Sequence, residues 1–257
     1  MPHTFLYHTE AVGASGHISL PVVDTMPLQA SIASAIGPGF GKVRVENFKH
    51  LDYLSIGSIE SHVVSSYSER DKAYGTLASV VIEDLSTLNV VTCDRLMTRL
   101  TSKHDHGGGQ GSFILHGTHF NGLRIAGHAI ELDLAVGLFS ELSTWDKLHA
   151  AYENDPAIRK ELHDLSIYPA KGNKLPVRDG VFACTLAHIP DPLPRGLTRK
   201  GHGIYVPHFG TIYAAEYYIT KTSRRLRMLH VDLGCSVEGS NGYGDTGANG
   251  QSLPGSA

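Results

Sequence analysis

Histidine carries the most conspicuous chemical potential in this chain, which holds sixteen of them. Five, His104, His106, His116, His119 and His128, fall within 25 residues. Neutral imidazole ligates zinc, iron, nickel or copper, and alternate residues of a strand turn two rings to the same side. His104 and His106 have that spacing. His116 and His119 are three apart, which on a regular strand sends them to opposite faces unless a bulge intervenes. Asp105, Glu131 and Asp133 could complete a ligand set, so the group is a candidate site for a divalent transition metal. The plainer reading is that these are polar-face or loop histidines of an antiparallel sheet.

A second group surrounds a Pro-rich bend at Pro190, Pro192 and Pro194. His188, His202 and His208, with Tyr205 and Tyr213, could line the mouth of a pocket. Tyr205, Tyr213 and Tyr217 could also serve as platforms for a glycan or another small-molecule ligand. Aromatic residues favour strands, however, and period two would put Tyr213 and Tyr217 on one packing face. The familiar catalytic signatures are missing: there is no GxSxG elbow, no phosphate loop ending in GK, no HExxH and no GxGxxG after a strand. Cys93, Cys184 and Cys235 lie far apart without a CxxC pair, which argues for buried apolar thiols rather than a disulfide framework or zinc knuckle.

The elements that must position these residues are mainly strands. Val43 to Phe48 alternates apolar and polar residues, and a large apolar residue stands three before a leucine at Phe48, Ile82 and Phe120, spaced by 34 and 38 residues. Recurrence on this scale suggests about three β units sharing a core. Lys103 to Gly111 is a polar, Gly-rich connection. A kinked helical insertion is expected at about 143–166: Ser143-Thr144-Trp145-Asp146 resembles a capping box, Asp155-Pro156 restarts the helix, and Trp145 should anchor it. Val181 to Leu186, Ile204 to Val206, Thr211 to Ile219 and Leu226 to Leu233 read as strands. In the last, period two puts Leu226, Met228, His230 and Asp232 on one face. Arg224-Arg225-Leu226-Arg227 suggests a turn and a charge-protected edge. The expected organisation is a single β-rich domain over 1–234, an antiparallel sandwich or barrel, followed by a flexible Gly/Ser/Asn-rich tail over 235–257.

A formal charge of -3, with 22 basic and 25 acidic side chains, provides no sequence-wide footprint for nucleic acid. No stretch approaches the ~20 apolar residues of a membrane-spanning helix, and the first ten residues lack the pattern of a secretory leader. A cytoplasmic location is the default expectation, with a secreted or surface location if a leader was removed.

Ala78 to Thr101, with Val-Val-Thr-Cys-Asp-Arg-Leu-Met-Thr-Arg-Leu after a strand and turn, resembles bacterial β-repeat proteins of the choice-of-anchor kind. Phe209 to Tyr213 and Arg224 to Gly234 are similar to segments of uncharacterised bacterial proteins. The resemblance implies a β-repeat surface architecture and transfers no functional residue. The sequence therefore points to a non-catalytic structural or binding protein that forms homo-oligomers or binds a partner through its sheets. A histidine-metal enzyme on a barrel or cupin-like scaffold and a carbohydrate- or lipid-binding module are the alternatives.

Overall fold

The computed structural model describes residues 5–252 except 22, 35, 36, 170, 171, 173, 235 and 236, and gives only the backbone of 249–252. The chain begins with β1 (Phe5–Leu20), β2 (Asp24–Gln29) and β3 (Ile32–Ser34). A meander of long strands follows: β4 (Gly39–His50), β5 (Leu54–Ser68), β6 (Ala73–Thr87) and β7 (Val91–Asp105). Short strands β8 (Ser112–Ile114), β9 (His119–Asn121), β10 (Arg124–Ile125), β11 (His128–Ala129) and β12 (Asp133–Leu134) lead to α1 (Val136–Glu141), α2 (Trp145–Asn154) and α3 (Pro156–Leu165). The remaining strands are β13 (Val177–Arg178), β14 (Val181–Thr185), β15 (Ala187–His188), β16 (Thr198–Lys200), β17 (Gly203–Val206), β18 (Gly210–Ile219), β19 (Ser223–Leu233) and β20 (Glu238–Ser252).

These strands build a sandwich. One sheet has the order β13-β14-β18-β19-β20-β1-β2, with β17, β16 and β3 added beside this path. The other runs β11-β10-β7-β6-β5-β4, with β8 and β9 on β7. β1 and β20 pack across β5, β6 and β7, so the inward side chains of both sheets, among them Ile59, Ile82, Leu96, Leu226, Met228 and Tyr243, are removed from water together. Full burial of one such aliphatic side chain is worth about 1.5–3 kcal/mol. The sheets do not close into a barrel. The recurring Phe48, Ile82 and Phe120 fall on β4, β6 and β9, all in the second sheet.

A transverse kink crosses each sheet and determines which side chains face outward. In the second sheet Asn47 and Asp84 adopt φ of 53° and 55°; in the first, Ala215 and Gly244 adopt 51° and 64°. Left-handed backbone inside a strand breaks the period-two alternation without changing the pairing register, and Asn, Asp and Gly tolerate it best. β6 accordingly buries Ala78, Val80 and Ile82 before the kink but Leu85 and Thr87 after it. The same break in β19 corrects the face assigned from sequence. Leu226 and Met228 are inside, but so are Leu229, Val231 and Leu233, while His230 and Asp232 point outward.

Two further expectations are corrected. The Gly-rich segment after 234 is not a flexible tail through 252, because β20 is a central strand paired with both β1 and β19. Its small residues suit a strand enclosed on both edges, and Gly239 leaves no room for a side chain against the His17 carbonyl. Residues 235, 236 and 253–257 of that segment lie outside the described residues. The basic run Arg224 to Arg227 likewise lies on a central strand rather than an edge. Arg225 reaches across to β20 to donate two hydrogen bonds to Asp245, while Arg224 turns inward and stacks over Phe113 at 4.6 Å.

The helical insertion occurs as expected, with α1 as an added turn that the sequence pattern did not mark. Thr144 accepts a hydrogen bond from the Lys147 amide, and Asp155 accepts from the Ala157 and Ile158 amides with Pro156 at the first helical position. Asp155 itself is extended, which kinks α2 against α3. Leu148, Tyr152, Leu162 and Leu165 are the buried anchors; Trp145 is only partly buried at the core margin.

Candidate functional site

The five clustered histidines are not brought together, because neighbours in sequence are spread along a long strand. His104 lies near the end of β7, whereas His128 pairs with Ile125, which pairs with Val91 at the beginning of the same strand. Thirteen residues of extended chain span about 40 Å. His119 sits on β9 opposite Met97 and donates from Nδ1 to the Gly117 carbonyl; His116 is exposed. His106 bonds the Tyr74 hydroxyl through Nδ1 at 2.7 Å. Among the described residues no group of three or more His, Cys, Asp or Glu could hold a metal ion. The convergent metal centre expected from His104, His106, His116, His119 and His128 is therefore not formed: His104 and His106 lie at one end of β7, His116 and His119 beside its middle, and His128 near its other end.

His104 has a distinctive environment. It is 5 % exposed, with Phe5 and Phe113 rings at 5.2 and 5.8 Å, and its Nε2 has no hydrogen-bond partner. Burial pushes its pKa down to about 4, so it is neutral near pH 7.

The second predicted group comes together in part. His202 stacks on Tyr213 at 4.6 Å on the outer face of the first sheet, and Tyr205 lies on the neighbouring strand under Lys200. His208 is exposed in the turn before β18. Tyr217 does not join them, contrary to the shared face expected: the Ala215 kink turns it into the core against Phe139. Tyr213 is not an open platform, since His202 and His230 cover its ring.

The group that sequence reasoning missed is centred on Glu216, which is 4 % exposed. His202 Nε2 donates to one carboxylate oxygen and His230 Nδ1 to the other, both at 3.0 Å. Burial alone would push this carboxyl up, but the two histidine hydrogen bonds and their charges outweigh it and hold the pKa at about 2. A lone carboxylate within the otherwise apolar run Ile212 to Ile219 was the available sequence signal. Its partners arrive from a loop and a neighbouring strand, and pairwise register is not written in the sequence.

His230 Nε2 also lies 2.8 Å from Ser240 Oγ and 2.9 Å from Asp232 Oδ1. Hydroxyl, imidazole and carboxylate thus follow one another in the order of a nucleophile relay. Two features oppose that chemistry. Asp232 competes for the nitrogen that would accept the serine proton. The Ser240 backbone is enclosed by His17 and Asp232 on flanking strands, as expected of a ladder position rather than an oxyanion site. The arrangement is better suited to holding the outer face of three strands in register.

The other exposed feature is an edge. Among the described residues β4 is the longest strand with an unpaired side, hydrogen-bonding only β5. β2 carries Pro27, and β11 and β13 have two residues each. Phe40, Lys42, Arg44 and Glu46 alternate along one face of β4. Phe40 is 69 % exposed at one end of the strand, and Leu51 is 60 % exposed just beyond the other.

The family model described as Domain of unknown function (DUF8256) matches residues 5–220. The chain belongs to this family. The match covers the meander, the helical insertion and the strands carrying His202, Tyr213 and Glu216, and ends before β19 and β20, which bring His230 and Ser240. No curated protein and no solved structure matches the chain. No helix of the described residues is long and apolar enough to cross a membrane.

Proposed function

We propose that the protein is a non-catalytic β-sandwich that associates with a second copy of itself through the free edge of β4. The observation carrying this reading is the self-complementary side-chain order of that edge. Antiparallel pairing of two β4 strands about a twofold axis at Val45 sets Arg44 of each copy opposite Glu46 of the other. Arg44 already pairs with Glu46 and Glu60 of its own copy at 2.8 and 3.5 Å, so the cross-copy charges select the register, and unpaired edge amides and carbonyls supply the ladder. Pairing about Arg44 would oppose the two arginines while setting Lys42 opposite Glu46, and a charge swap at Arg44 and Glu46 distinguishes the two registers. The Tyr213 ring stacked by His202 and His230 and the buried Tyr217 favour this reading over a tyrosine glycan platform.

Light scattering after size exclusion, over a concentration series, tests it. The expected result is a dimer that Arg44→Glu weakens and Arg44→Glu with Glu46→Arg restores. A strict monomer at the highest concentration, or a double variant no better than the single one, overturns it.

A further inference from the structure

Beyond that edge, the structure contains a cleft of about 320 Å³ lined by His104, Gly109, Gln110, Gly111, Lys221 and Thr222. It lies where the Gly-rich connection after β7 meets the turn between β18 and β19. We infer that this cleft is a binding site for a small carboxylate.

The first argument is the orphan imidazole. Buried polar nitrogens are nearly always paired, and Nε2 of His104, a residue only 5 % exposed, is not. The second is the roof. A Cβ on Gly111 would lie 2.1 Å from His104 Cε1 and 2.7 Å from Nε2, so only glycine lets the connection close over the ring there. Gly108 and Gly109 add φ of 86° and 118°, a backbone that suits glycine. The third is the polarity of the lining. Gln110 Oε1 accepts from the Asp146 amide at 3.0 Å, which leaves its NH₂ end as the available group. Lys221 and Thr222 add an ammonium and a hydroxyl donor. One formal positive charge beside a neutral imidazole matches a monoanion, and a carboxylate offers lone pairs to several donors at once.

The test is NMR titration of the full chain with sodium acetate and sodium lactate, following the His104 imidazole resonances, assigned by their loss in His104→Phe. The expected result is saturable shifts with both anions. Lys221→Met, at an exposed position, should weaken binding about tenfold or more. Three results would each overturn the assignment: no saturable change, as for a cleft filled by water alone; the same change with sodium chloride at equal ionic strength; or wild-type affinity in Lys221→Met.

Discussion

Acidification should destabilise this protein in a window set by one residue, His104. Its folded pKa is about 4 against an ordinary value of 6.5, because the ring is buried between Phe5 and Phe113. The unfolded chain therefore takes up a proton as pH falls through 6.5, while the folded chain does not until about 4. Stability is fully retained above 6.5 and declines between the two values, with a limiting slope of about 1.4 kcal/mol per pH unit for one proton. Over the whole window the loss is about 3 kcal/mol, a large fraction of the ~5–15 kcal/mol that typically holds a domain folded. Urea unfolding at half-unit steps from pH 7.5 to 4, on wild type and His104→Phe, isolates this contribution by difference. The variant keeps an aromatic ring among its neighbours and removes the unpaired nitrogen. Its stability should fall less than that of the wild type over this range. Parallel profiles for the two proteins would refute the reasoning, by showing that His104 is solvated or paired in solution.

Glu216 acts in a lower window and with opposite sign of cause: its depressed pKa contributes stability above pH 4.5 that is lost as pH falls through about 2. Glu216→Gln should therefore lose about 1–3 kcal/mol at pH 7 and flatten the acid limb below 4.5, as measured by chemical denaturation. The kink at Ala215 separates two tyrosines that simple alternation would join. Tyr217→Ala should cost about 3–5 kcal/mol of unfolding free energy because it empties a core position. Tyr213→Ala, on the outer face, should cost about 1 kcal/mol or less. Equal costs would contradict the face inversion.

Much of the fold was legible locally. Alternation from Val43 to Phe48 marked β4, and Thr144, Asp155 and Pro156 marked the two longer helices, because strand alternation and helix capping depend on residues within a few positions of one another. Burial of Cys93 and Cys184 followed from their chemistry alone. The candidate site was legible only in fragments. His202 and Tyr213 were recognised as neighbours, but Glu216, His230, Asp232 and Ser240 were not assembled with them.

Tertiary structure decided those pairings for physical reasons. One left-handed residue inverts every side chain beyond it, so Ala215 and Gly244, unremarkable in sequence, determine what faces water on β18 and β20. Extended chain carries its two ends far apart, which left His104 and His106 at one end of β7 and His128 near the other. Conversely, the segment after 234 looked too poor in large apolar residues to order itself. It orders as β20 because strands distant in sequence, β1 and β19, satisfy both of its edges. The sequence by itself determined residue chemistry, local propensity and capping; long-range register and the kinks determined which of those residues meet.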